Sequence, residues 1–312
     1  MTRAVVFAYH NVGVRCLKVL LAQGIEVPLV VTHEDDPAEA QWFASVAATA
    51  REYGIATITP QDPNAADVVA RVTATAPDFL FSFYYRRMLG EALLALPPRG
   101  ALNMHGSLLP RYRGRAPVNW AVLHGERETG ATLHYMTAKP DRGDIVAQTA
   151  VPILPDDTAR EVFDKVTVAA EMTLDRVLPA VLAGTAPRVA QDPAAGSYFG
   201  GRRPEDGVID WNRDAATVHN LVRAVAPPYP GAFTAVGGVA ARVLRTRVVA
   251  ITTPPTLAPT LEVRDGRLLA HCGGGGTVAV LALEIEGKAV DATAFAARFG
   301  SAPVSLGDTA GG

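Results

Sequence analysis

The chain has 312 residues, with 29 Lys and Arg side chains against 31 Asp and Glu, and 49% of its residues are hydrophobic. That length admits two domains with ample core, and the balance of charge excludes the broad basic excess of a nucleic-acid coat, leaving room only for a local basic rim. The two cysteines, Cys16 and Cys272, lie far apart without metal-ligand spacing and read as reduced, buried thiols. The opening MTRAVVFAYHNVG is interrupted too soon to be a signal or membrane segment. The expectation is a cytoplasmic protein without membrane insertion or metal.

Ala4 to Tyr9 is a short apolar run of the kind found in strands buried on both faces, and Val14, Leu17, Leu20 and Leu21 follow at helical spacing. The alternation continues with a strand at Val27 to Thr32, a polar loop HEDDPAEA and a helix from about Glu39 to Tyr53. A strand at Ile55 to Thr59, a helix from about Asn64 to Thr75 and a strand at Asp78 to Phe83 come next. Strands alternating with helices predict an α/β, Rossmann-like and mostly parallel sheet. Ligands of such sheets bind beyond the carboxyl ends of the strands, so the loops after Phe7, Thr32, Phe83 and Asn103 become the candidate site walls. The first of these, YHNVG, lacks the glycine spacing of a dinucleotide loop.

Further strands are predicted at Ala131 to Met136 and Ile145 to Ile153, with Asp141 in the turn between them. A long amphipathic helix runs to about Leu182, capped by Asp157 or Thr158. Gly, Pro and charge then dominate, which divides the chain into a domain at 1–190, a linker at 191–206, a second domain at 207–304 and a tail at 305–312. The second domain starts with a short strand at Val208 to Trp211 and a helix at Ala215 to Ala224. Short apolar runs follow at Ala232 to Val236, Ala240 to Leu244, Leu261 to Val263, Leu268 to His271 and Val278 to Glu284, the pattern of a small β-barrel-like, OB-like domain, and the end after about Ser301 reads as frayed.

The chemistry concentrates in ALNMHGSLLPRYRGRAPVNW, Ala101 to Trp120. Asn103 and His105 stand two apart on a predicted strand and so share a face. An amide that donates without titrating, beside an imidazole that exchanges protons near neutrality, suits a reaction that builds negative charge on a carbonyl oxygen while a proton moves. Arg111, Arg113 and Arg115 add a candidate anion-binding rim. A lone strand-end histidine is most often packed or solvated, Asp141 reads equally as a turn former, and arginines in a loop are usually a solvated face. Their adjacency turns the reading towards a site, in which Asp141 would orient His105 and favour its charged form.

Asn103-x-His105, the run HGSLLPRYRG, then ETGATLH and the turn DRGDIVAQ together resemble the formyltransferase family that uses 10-formyltetrahydrofolate. FAYHNVG, SFYYRR and RGRAPVNW narrow the likeness to the formyltransferase half of the bifunctional polymyxin-resistance enzymes, which formylate UDP-4-amino-4-deoxy-L-arabinose for lipid A modification. FGGRRPEDG, HNLVRAV and PPYPGAF extend it over essentially the whole chain. The resemblance implies a transferase with Asn103, His105 and Asp141 as its catalytic set. It implies folate contacts at Arg87, Met88 and Leu89 and at Thr137, Ala138, Lys139, Pro140 and Asp141. Tyr9 and Arg115 are assigned to the acceptor, and Arg202 and Arg203 are added because paired guanidinium groups suit a diphosphate. In the bifunctional enzymes a decarboxylase domain comes after this one, whereas the sequence here ends at Gly312, so the expectation from the resemblance is a separate decarboxylase polypeptide or another amino sugar. Three rival readings stay open: a methionyl-tRNA formyltransferase, which needs a basic face and salt-sensitive binding, a folate- or nucleotide-binding module without catalysis, and a hydrolase that releases formate from the donor and lacks an acceptor site.

Overall fold

The computed structural model describes residues 1–34, 41–251, 254–255 and 258–307. The chain forms two compact units, one of Met1–Pro117, Glu128–Pro152 and Phe163–Gly200, the other of Val118–Arg127, Ile153–Val162 and Gly201–Gly312. Among the described residues no helix is long and apolar enough to cross a membrane.

In chain order the first part of the sequence makes β1 (Arg3–Ala8), α1 (His10–Ala22), β2 (Glu26–Val31), α2 (Val46–Glu52), β3 (Ala56–Ile58), α3 (Ala66–Ala74), β4 (Phe79–Phe83), α4 (Glu91–Leu94) and β5 (Ala101–His105). Then come β6 (Arg113–Gly114), α5 (Pro117–Leu123), β7 (Glu128–Tyr135), β8 (Ile145–Pro152), α6 (Ala159–Ala183) and β9 (Tyr198–Phe199). The main sheet runs β3-β2-β1-β4-β5-β7-β8. Its pairs are parallel from β3 through β5, and β7 and β8 are antiparallel. Helices cover a parallel sheet on both faces, which is why β1 and β4 are apolar almost throughout and buried from Ala4 to Ala8 and from Phe79 to Phe83. The strand order reverses between β1 and β4, the place where such sheets open a crevice at their carboxyl ends.

The expected helix from Glu39 starts at Val46, where the Ser45 hydroxyl accepts from the Ala48 N–H; Glu39 itself lies outside the described residues. Thr158 and Glu161 exchange side-chain and backbone hydrogen bonds at the head of α6, a reciprocal cap that fixes where the helix begins.

The second unit holds α7 (Ala215–Ala224), β10 (Ala232–Val236), β11 (Val239–Ala250), β12 (Thr260–Arg264), β13 (Arg267–His271), β14 (Thr277–Ile285), β15 (Lys288–Ala289), α8 (Ala292–Phe299) and β16 (Val304–Ser305). Its antiparallel sheet runs β10-β11-β14-β13-β12-β16, with a bridge from Val236 to Leu306 that brings the two ends together as a nearly closed barrel. Trp211, Val222, Val278 and Phe295 fill the interior. Three expectations change here. Val208 to Trp211 is not a strand: Val208 makes a single bridge to Phe233, and Trp211 is apolar because it plugs the core while its indole N–H donates to Thr234 Oγ1 at 2.7 Å. β11 continues to Ala250, because register shifts between Val243 and Ala250 break the two-residue alternation that would reveal a long strand. The end is ordered at Val304 and Ser305, which pair with β12, so fraying after Ser301 does not hold there.

Candidate active site

β5 and β7 run antiparallel with Asn103 opposite His134 and His105 opposite Thr132, so the three polar side chains at 103, 105 and 134 share one face. Asn103 and His134 are joined directly, Asn103 Nδ2 to His134 Nε2 at 3.1 Å. His134 is pinned at its other nitrogen by the Tyr135 carbonyl, 2.8 Å from Nδ1. A carbonyl only accepts, so His134 carries a hydrogen on Nδ1 and meets Asn103 with the Nε2 lone pair when neutral.

Asp141 returns from the β7–β8 turn onto this face. Its Oδ1 lies 3.6 Å from His105 Nδ1 and 3.5 Å from His134 Nε2, and its Oδ2 accepts the Gly114 N–H at 2.9 Å. Burial alone would raise the pKa of this carboxyl, but His105, His134 and the Gly114 N–H together hold it well below the ordinary carboxylate range. Gln191 and Gly114 hold the turn, in which Asp141 takes an unusual backbone conformation. Asp141 has φ 54, a left-handed conformation sparsely adopted by residues with a side chain. The Gln191 amide donates to the carbonyls of Asp141 and Gly143 at 2.9 and 2.7 Å. Gly114, at φ +96, lets the backbone approach so closely that a Cβ there would stand 2.1 Å from the Phe199 carbonyl oxygen.

His105 Nε2 donates to the Tyr112 carbonyl at 2.8 Å, so the ring's two nitrogens face a carbonyl and a carboxylate. Each of those partners accepts, an environment that suits a ring bearing hydrogens on both nitrogens. The loop supplying Tyr112 is tied down by Ser107 Oγ donating to Arg111 O, and by Thr132 Oγ1 donating to Ser107 O, both at 2.6 Å. A Cβ at Gly106 would lie 1.8 Å from the Tyr84 hydroxyl, so a side chain there would displace the Tyr84 ring.

Residues 4–178 match the formyl transferase family and residues 202–300 match the formyl transferase C-terminal domain. The chain belongs to the formyl transferase family. This formyl transferase shares its fold with the N-formyltransferase from Helicobacter canadensis solved with folinic acid and dTDP-3-aminofucose, at TM-score 0.69 and 19% identity over 90% of this chain and 99% of that one. The sugar 3N-formyl transferase WlaRD, solved with dTDP and 5-N-formyl-THF, gives TM-score 0.69 and 18% identity over 92% and 99%. A 4-N formyltransferase from Francisella tularensis gives TM-score 0.59 and 18% identity over 74% of this chain and 91% of that one.

The remaining predicted residues of the formyl transferase fall in five places. Arg87, Met88 and Leu89 follow β4. Leu89 is buried, Met88 exposes its side chain while its carbonyl accepts from Asn64 at 3.0 Å, and Arg87 reaches Gln61 at 3.4 Å. Thr137, Ala138, Lys139 and Pro140 form the turn leading into Asp141, closed by Thr137 Oγ1 donating to Lys139 O at 2.8 Å. Tyr9 is buried among Phe43 and His33, with the Arg86 guanidinium 4.7 Å above its ring. Arg115 is exposed, 3.5 Å from the Arg86 carbonyl. Arg113 does not join the expected cationic rim: it is buried and donates from Nε to Ser197 O at 3.3 Å. Arg202 and Arg203 belong to the second unit, where Arg202 lies 5.0 Å over Trp120 and donates to Asp206 O at 2.9 Å.

Beside these, His33 stacks on Tyr85 at 4.2 Å and accepts the Arg86 N–H, and burial, reinforced by Arg86 and Arg87, lowers its pKa to about 4. Among the described residues no cluster of three or more His, Cys, Asp or Glu could hold a metal ion. His134 and Gln191 escape sequence reasoning. The face shared by Thr132 and His134 on a strand beside Asn103 was the available signal for the first, and nothing local marks the second.

Proposed function

We propose that this formyl transferase carries the formyl group of 10-formyltetrahydrofolate to the amine of a nucleotide-linked amino sugar, with UDP-4-amino-4-deoxy-L-arabinose as the acceptor the sequence favours. The observation that carries the reading is Asp141 Oδ1 set 3.6 Å from His105 on the face that also presents Asn103. Support comes from relatives of the same fold solved with folinic acid or 5-N-formyl-THF beside a dTDP sugar or dTDP. The residues also fit a folate donor chemically. Met88 and, in the turn, Thr137, Ala138 and Lys139 are exposed close to strand ends, and Asn103 keeps a second amide hydrogen after donating to His134.

10-Formyltetrahydrofolate supplies a formyl group already activated on nitrogen. Asn103 would donate its second N–H to the formyl oxygen, where charge builds as the amine adds. One donor aimed at such an oxygen is worth roughly 2.7–4 kcal/mol in the transition state. His105 would take part in moving the amine's proton towards the departing nitrogen, which requires Nε2 to exchange its bond to Tyr112 O for one to substrate. Asp141, ionised far into acid, favours the charged ring. Arg115 is assigned to the acceptor, and the folate is placed against Arg87, Met88, Leu89 and the turn from Thr137 to Asp141.

Basic and acidic side chains nearly balance over residues 201–312, which speaks against a broad tRNA-binding face on that part of the chain. The test is a panel of nucleotide-linked amino sugars, with charged initiator tRNA alongside, offered with the folate donor and read by product mass. A formylated UDP-amino sugar is expected. Formylation of the tRNA alone, or release of formate with no formylated acceptor, would overturn the reading.

A further inference from the structure

We infer that His134 is a positioning residue for formyl transfer: its Nε2 lone pair sets which end of the Asn103 amide faces the reacting carbonyl. The inference rests on the catalytic part proposed for Asn103. The Tyr135 carbonyl at 2.8 Å takes the Nδ1 hydrogen, so the neutral ring offers Asn103 an acceptor and nothing else. Asn103 Nδ2 stands 3.1 Å away, and turning the amide over would press its Oδ1 against that lone pair. The ring has no freedom to accommodate the turned amide. It is buried on β7, between β5 and β8, directly opposite Asn103 in the ladder. With the NH2 end held in place, the direction of the second N–H of Asn103 follows from the fold.

The same nitrogen faces a second group. Asp141 Oδ1 lies 3.5 Å from His134 Nε2 and 3.6 Å from His105 Nδ1, so one carboxylate oxygen sits between two imidazoles. A proton placed on His134 Nε2 would turn that ring from acceptor to donor, release Asn103 and engage the carboxylate that His105 needs. His134 does its work through Asn103 rather than on substrate.

Three substitutions of His134, with Asn103→Ala beside them, test this on the full chain. His134→Leu removes the acceptor and should lower kcat by about 10²-fold, the scale of losing one oriented donor, with both KM values within about twofold of wild type. His134→Gln places an amide oxygen near the position of Nε2 and should recover most of that loss, whereas His134→Asn, too short to reach, should not. In the cycle with Asn103→Ala, the double variant should be no slower than Asn103→Ala alone, because both changes remove one interaction. Melting curves accompany each variant, and the Gln and Asn variants keep the comparison alive if the Leu variant fails to fold. Equal rates for Gln and Asn, or losses that multiply in the double variant, would overturn the inference. If Asn103→Ala itself leaves turnover intact, the catalytic reading fails instead.

Discussion

Two histidines of this protein each lie 3.6 Å from a carboxylate oxygen, His105 beside Asp141 in the first unit and His219 beside Asp156 in the second. Distance does not separate them; hydrogen-bond accounting does. His219 donates from Nε2 to the Pro155 carbonyl at 3.0 Å and accepts the Thr246 hydroxyl at Nδ1, 2.9 Å away, so its neutral ring is satisfied at both ends. Burial then lowers its pKa, and Asp156, half exposed, pairs with Arg247 at 3.3 Å. His105 faces a carbonyl and a carboxylate, two acceptors, and its carboxylate is nearly buried. A neutral His105 that donates to Tyr112 turns a lone pair towards the carboxylate. The second unit thus satisfies its buried histidine at both nitrogens, and the first turns one nitrogen of its histidine towards a carboxylate.

Exchange of the two residues for alanine should break them in opposite ways. His105→Ala should lower kcat/KM by about 10³-fold, within the range for a lost proton-transfer group, with the melting temperature near that of wild type. His219→Ala should leave kcat/KM intact below its melting point and cost about 1–3 kcal/mol of stability, the consequence of orphaning buried partners. Denaturant titration and steady-state rates on both variants check the pair, and equal loss of turnover in the two would erase the distinction.

Gly114→Ala comes next in size. The new Cβ meets the Phe199 carbonyl at a φ of +96, so the N–H that holds Asp141 must shift. Stability should fall by at least about 1 kcal/mol and turnover by roughly tenfold, more than an ordinary Gly to Ala change at a compatible site. A variant indistinguishable from wild type in melting and rate would mean the Gly114 contact does not hold the carboxylate.

Acidification sharpens the contrast by sign. His219 titrates below its ordinary value of 6.5 when folded, and His33 titrates at about 4. The unfolded chain binds more protons than the folded one between those values, so their contribution is complete above about pH 6.5 and is lost as pH falls through the folded values. Asp141, depressed instead, keeps its contribution above the ordinary carboxylate range and loses it only much further into acid. Stability measured from pH 7 to pH 5 should therefore decline, and His219→Gln should flatten part of that slope. The smallest effect is expected from Arg203→Ala, a rise of a few-fold in acceptor KM at constant kcat, read from initial rates.

Much of this was legible in the sequence because local rules and global fold agree there. The apolar runs of β1, β2 and β4 must be strands of a covered sheet, and the two-residue spacing of Asn103 and His105 places both on one face of β5. Asp141 beside His105 follows from resemblance, since the turn that returns it is held by Gly114 and Gln191, residues 27 and 50 positions away in sequence. His134 was hidden for a different reason: a histidine at the end of a strand has meaning only when the strand opposite is known. β11 was cut short because its bulges scramble the alternation on which strand reading depends.

The most direct measurement is the pH dependence of kcat/KM for wild type and Asp141→Asn, on the folate donor and whichever acceptor the panel yields. If the carboxylate sustains a charged His105, the alkaline limb should move to lower pH in the variant and the rate at neutrality should drop by about 10–10²-fold, within the scale of general acid–base catalysis. Superimposable profiles of equal height would contradict it, leaving Asp141 a turn residue that happens to lie near an imidazole.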